Sequence, residues 1–170
     1  VYNRNPEKAQ KWQAEFAGSI AATPAQAAKE CEIVFCCVGN DDDVRQVVLG
    51  EQGILATMPK GSILVDHTTA SANIARELSA IATAQGQYFL DAPVSGGQAG
   101  AENGMLTVMV GGDADIFAKA QPVMDAYARF SQLMGAVGSG QLAKMVNQIC
   151  IAGVVQGLAE GFSFAEKAGL

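Results

Sequence analysis

Ser62 to Gly97 reads SILVDHTTASANIARELSAIATAQGQYFLDAPVSGG, and the pattern of this stretch decides the fold. It opens on a short apolar run, SILVD, and comes to a second, YFLDAPV, both of the kind that suits strands buried on two faces. Between them SANIARELSAIATAQG is a helical pattern that stops at Gly86, a residue at which helices often end. Outward from this unit the same alternation continues. EIVFCCV (Glu32 to Val38) precedes it and LTVMVGG (Leu106 to Gly112) follows, with helical DDVRQVVLG and DADIFAKAQPVMDAYA beside them. Strand alternating with helix specifies an α/β fold: a doubly wound, mainly parallel sheet.

Two further helices are marked by caps. Asn5–Pro6 and Thr23–Pro24 each place a capping side chain before a proline in the first turn. From about Gly138 the strand signal vanishes, and a single long helix is expected from near Ser139 to the end of the chain. Its Gly153, Gly157 and Gly161 fall four apart on one face, at roughly 1 kcal/mol each against alanine. Close approach of another helix would offset that cost. Two units follow: residues 1–138 as a sheet domain, and 139–170 as a helix that leaves it and packs into further helices. Both ends of the chain read as cut, so a longer protein is expected.

At 49% apolar and 16% charged, 170 residues can bury one ordinary core. The net charge of −6 argues against nucleic acid, which calls for a basic stripe. No unbroken apolar span of membrane length is expected, and no membrane partner. Lys144, Gln156, Glu160 and Glu166 also count against reading the glycine stripe as a membrane dimer motif. Cys31, Cys36, Cys37 and Cys150 match neither a zinc site nor a disulfide framework, which suggests buried, reduced thiols and a cytoplasmic setting. With His67 as the lone histidine, no metal site is expected.

Ligands of open parallel sheets bind beyond the carboxyl ends of the strands, and polar residues gather there. Asn3 and Arg4 follow an apolar pair; arginine at such a place suits a ribose 2′-phosphate, or is simply exposed at a helix start. Val38 and Gly39 offer apolar contact and bare backbone, while Asn40 and Asp41 to Asp43 are explained as a plain helix cap. DHTTAS supplies Asp66, His67, Thr68 and Thr69, with His67 read as structural rather than catalytic. Ser95, Gly96 and Gly97 could present a hydroxyl and backbone amides to a carboxylate, or form an ordinary glycine turn. Lys144, Asn147 and Gln148 share one helix face. The apolar residues around Lys144 would lower its pKa, unless the stem merely lies along the surface with its charge in water.

In order along the chain, NR, DHTTAS, DAPVSGGQAGAENGMLTVMVGG and GSGQLAKMVNQ resemble the β-hydroxyacid dehydrogenase family, which includes 3-hydroxyisobutyrate dehydrogenase and tartronate semialdehyde reductase. The resemblance implies a Rossmann-type domain followed by an all-helical domain entered by a long helix. It implies hydride exchange between a nicotinamide cofactor and a β-hydroxyacid or its semialdehyde, and a homo-oligomer formed through the helical domain. By resemblance Lys144 is the general acid/base, Asn147 and Gln148 bind substrate beside it, and Ser95, Gly96 and Gly97 hold the substrate carboxylate. Val38, Gly39 and Thr69 border the cofactor, and Asn3 with Arg4 suits NADP, with NAD possible. The family's first strand and glycine-rich pyrophosphate turn have no counterpart before Val1. Asn147 and Gln148, where 6-phosphogluconate dehydrogenases carry His and Asn, favour a small unphosphorylated acid. The other reading is a non-catalytic dinucleotide-binding or scaffold relative, against which Lys144 and Ser95 together count.

Overall fold

Local chemistry starts the helices where the sequence marks them. In the computed structural model, which describes residues 1–170, Asn5 accepts from the Glu7 amide to open α1 (Pro6–Glu15). Thr23 accepts from Gln26 to open α2 (Pro24–Ala28). The apolar run then forms β1 (Ile33–Cys36), and Asn40 caps α3 (Asp41–Leu49). There follow β2 (Ile63–Asp66), α4 (Ala72–Ala84), β3 (Tyr88–Asp91), β4 (Val94–Ser95), α5 (Gly97–Glu102), β5 (Leu106–Gly111), α6 (Ala114–Met124), β6 (Ala128–Gly135) and α7 (Ser139–Ala168).

β1, β2 and β3 are parallel neighbours, as the alternation with helices requires. Asp91 lies opposite Gly111, Val94 opposite Val108 and Ser95 opposite Thr107. That register is continuous, so β3 and β4 form one strand beside an antiparallel β5, interrupted at Ala92–Pro93, where proline has no amide to give the ladder. β6 closes the far edge parallel to β5. The sheet is mixed and mainly parallel, with a Rossmann-like arrangement of helices on both faces. On one face Leu64 and Phe89 pack with Val44, Val48, Ile74 and Leu78 of α3 and α4. On the other, Val65, Leu90, Val108 and Val110 pack with Ile116 and Met124 of α6. Each fully buried leucine here contributes about 2 kcal/mol.

Three expectations need correction. β6 is absent from the sequence reading because Arg129, Ser131 and Gln132 break any continuous apolar run, as an edge strand allows, and Phe130 and Met134 stay exposed. QAGAENG, to which the sequence reading gave no element, contributes to a short helix from Gly97 to Glu102. By length and apolar content α7 could cross a membrane, contrary to the expectation that no stretch approaches that size. Its polar residues are spaced widely enough that the apolar content of an 18-residue window stays high. The start of α7 at Ser139 agrees with the sequence.

Candidate functional site

The carboxyl ends of β1, β2 and β3 carry the polar residues singled out above, and the structure ties them to one another. After β1 the Val38 amide donates to Thr68 Oγ1 at 3.0 Å, joining the loops that follow β1 and β2. Asp41 accepts from the Ser71 amide at 2.8 Å and from the Ser71 hydroxyl at 2.5 Å. Asp43 pairs with Arg4 at 3.1 Å, and Asp42 with Arg45 at 3.1 Å. The three aspartates therefore do more than favour a helix N-terminus. Each has a partner outside the capping role, two of them in distant segments that no local pattern could reveal.

A cleft of about 580 Å³ opens between Tyr2–Arg4 and the free edge of β1. It brings together four predicted residues, Asn3, Arg4, Val38 and Gly39, with Asp43 at its side. A Cβ at Gly39 would sit 2.5 Å from Asp43 Oδ2, so any larger residue there would have to displace that side chain. The Arg4 side chain is 83% exposed, so its guanidinium can turn toward a ligand at little cost beyond a weak surface ion pair. The volume is that of an ordinary ligand site. Bare backbone at Gly39, the apolar Val38 and the cation of Arg4 fit a phosphorylated adenosine.

The remaining predicted residues lie outside this cleft. Thr69 is exposed between buried Thr68 and Ala70. Ser95 is half-buried, and Gly96 and Gly97 adopt φ of 132° and 61°, which glycine alone takes without strain. This left-handed pair turns the chain directly from β4 into α5, whose cap offers no side chain. Lys144 is buried, 8% exposed, with no carboxylate within ion-pair distance. Burial lowers its pKa, which makes the neutral amine more accessible. Asn147 and Gln148 follow on the same helix and bond each other at 3.1 Å. Gln148 is exposed and Asn147 half-buried.

Two acids that sequence reasoning left without a role organise the other end of the site. Asp91, fully buried, accepts from the Gly138 amide at 2.7 Å and from the Gln141 amide at 2.9 Å, so a strand-end carboxylate caps α7. Burial nonetheless raises its pKa, against the opposing pull of those amides. Gly140 lets the helix touch the sheet: a Cβ there would lie 2.4 Å from the Met109 carbonyl and 2.6 Å from that of Asp91. Gln141, 1% exposed, donates from Nε2 to the Thr68 carbonyl at 2.7 Å and accepts from the Ala70 amide at 3.0 Å. Asp66 accepts from the Thr68 amide, but burial still pushes its pKa up to about 6. The available signal was an acid inside an apolar run, in ILVD and YFLD, since a buried carboxyl must find donors.

His67 is structural in the way expected. Nδ1 lies 2.6 Å from the Ala92 carbonyl, which only accepts, so the Nδ1–H donates and Nε2 accepts from Tyr127 Oη at 2.7 Å. Burial lowers its pKa and favours this neutral form. The four cysteines are unpaired, but burial was expected of all and holds only for Cys36, whose thiol it pushes well up; Cys31 is half-buried, and Cys37 and Cys150 are exposed.

Residues 1–149 match the family described as the NAD binding domain of 6-phosphogluconate dehydrogenase. An uncharacterized oxidoreductase of Shewanella frigidimarina is 63% identical over all of this chain and 58% of its own length. A probable 3-hydroxyisobutyrate dehydrogenase-like protein of Arabidopsis thaliana is 42% identical, over all of this chain and 56% of its own. Among solved structures, a 3-hydroxyisobutyrate dehydrogenase of Mycobacterium tuberculosis with L-serine superposes with a TM-score of 0.91 at 33% identity, over 99% of this chain and 57% of that one. The chain thus spans somewhat more than half the length of these relatives.

Proposed function

Because the chain belongs to the family of the NAD-binding domain of 6-phosphogluconate dehydrogenase, we propose that it is the cofactor-binding part of an oxidoreductase acting on a short β-hydroxyacid or its semialdehyde. The observation that carries this reading is a buried, unpaired lysine on the helix that Asp91 seats against the strand ends. A dinucleotide-binding scaffold has no need of such a residue.

Asn3, Arg4, Val38, Gly39 and Thr69 would hold the cofactor, which accepts or supplies the hydride when bound. NADP is preferred in this reading, since the Arg4 guanidinium can exchange its ion pair with Asp43 for a 2′-phosphate. Ser95, Gly96 and Gly97 hold the substrate carboxylate, and Asn147 and Gln148 hydrogen-bond the rest of a small polar acid. The neutral form of Lys144 takes the hydroxyl proton on oxidation and returns it on reduction. Burial lowers its pKa, which makes the neutral amine more accessible for that exchange. Anchoring the carboxylate fixes the carbinol oxygen relative to the amine, and such positioning is a large part of catalysis. Residues 139–170 begin a helical domain through which the protein forms homo-oligomers, consistent with the uncovered apolar residues of α7. The unpaired cysteines agree with a cytoplasmic location.

The test is turnover of the full-length protein with short β-hydroxyacids and semialdehydes, followed by nicotinamide absorbance with both cofactors. Turnover with higher kcat/KM for NADP is expected, and Arg4→Asp should shift the ratio toward NAD. Absence of turnover with every such acid would overturn the reading. An unchanged ratio in the variant would remove the phosphate contact from it.

A further inference from the structure

The side-chain amide of Gln141 holds both peptide groups that flank Thr69. Its Nε2 donates to the Thr68 carbonyl and its Oε1 accepts from the Ala70 amide, at 2.7 and 3.0 Å. The side chain thereby imitates a strand partner for the single residue Thr69, whose own side chain is left exposed. The backbone of Gln141 is in turn held by Asp91 through its amide, at 2.9 Å. The grip continues beyond Thr69. Thr68 Oγ1 accepts from the Val38 amide, and the Thr68 amide donates to Asp66, each at 3.0 Å. Gln141 and Lys144 stand three apart, adjacent on one helix face, and with Gly140 they are the buried residues of α7.

Resting on the roles given above to Thr69 and Lys144, we infer that Gln141 is a positioning residue that holds the cofactor loop and the acid/base helix in register. No other side-chain hydrogen bond runs from α7 to the loops after β1 and β2. Every link is buried or half-buried, so water cannot take the place of a lost partner cheaply. A helix held only by Asp91 could still swing about its N-terminus, carrying Lys144 with it. Two further bonds to one loop remove that freedom. A misplacement on the order of 1 Å can cost about 100-fold in rate.

Gln141→Glu keeps the shape and the acceptor but sets an anionic oxygen against the Thr68 carbonyl. In the full-length protein at pH 8, kcat should fall about 10- to 100-fold. The cofactor Kd, read by fluorescence titration, should rise about tenfold, the effect of one lost hydrogen bond. As pH falls, the introduced carboxyl regains a proton to donate, so the variant-to-wild-type ratio of kcat should recover. Asp66 and Asp91 titrate in both proteins and cancel in that ratio. Unchanged kcat and Kd in a folded variant, whatever its Tm, would reduce Gln141 to a brace and overturn the inference. If Gln141→Glu does not fold, Gln141→Met removes both bonds without introducing a charge. A raised cofactor Kd is expected there as well, and an unaltered one overturns the proposal. Lys144→Ala separates the two readings: retained turnover would refute the acid/base role, while the Kd of Gln141→Glu still reports the grip on Thr69.

Discussion

The two ends of α7 are made of similar residues and are held in opposite ways. At its start, Gly140, Gln141 and Lys144 are buried against strand ends, fixed by a carboxylate, two side-chain bonds and a glycine approach. From Ile149 onward, Val154, Val155, Leu158, Phe162 and Phe164 are exposed, and nothing lies within 4 Å of a Cβ built on Gly153, Gly157 or Gly161. Apolar character alone therefore does not seat a helix. The seated end is polar in its decisive contacts, and directional bonds set its register in a way that hydrophobic burial, being non-directional, cannot.

Substitutions can break this contrast, and the largest effect belongs at the seated end. Gly140→Ala pushes a methyl onto two backbone carbonyls that cannot move aside, and should cost about 4 kcal/mol by chemical denaturation. Asp91→Ala should cost about 3 kcal/mol, since it leaves the Gly138 and Gln141 amides without an acceptor. Asp66 should show itself through pH. Its carboxyl ionises at about 6 when folded, against an ordinary 3.8, so the native state holds the extra proton between those values. Stability should accordingly fall as pH rises from about 4 to 6, by about 3 kcal/mol, and level off above. Asp66→Asn, which keeps the acceptor for Thr68, should flatten that slope in a pH series of unfolding curves. The smallest effect belongs to the uncovered end, where Gly157→Ala should stabilise α7 by at most about 1 kcal/mol. A large loss there would mean that another helix covers the glycine stripe in solution.

Much of this architecture was legible beforehand because its signals are local. Caps at Asn5 and Thr23, the β2–α4–β3 unit and the start of α7 each follow from a few neighbouring residues. β6 was not legible, because an edge strand lacks a continuous apolar run. The cleft residues Asn3, Arg4, Val38 and Gly39 were anticipated and do line one cavity. Ser95 to Gly97 and Lys144 lie outside it, and their roles rest on the resemblance and on the burial of the lysine. Asp91 and Gln141 escaped notice because their partners lie 47 to 73 residues away in sequence. A single chain read in order shows that an acid is buried, but not which amides it will meet.

Everything functional in this account turns on the seated lysine. The direct measurement is turnover and cofactor affinity of full-length Lys144→Ala against the unaltered protein, with the same β-hydroxyacid and nicotinamide cofactor. We predict a loss of kcat of about 100- to 10,000-fold with cofactor Kd changed less than about twofold, as removal of an acid/base requires. A kcat near that of the unaltered protein would contradict the account.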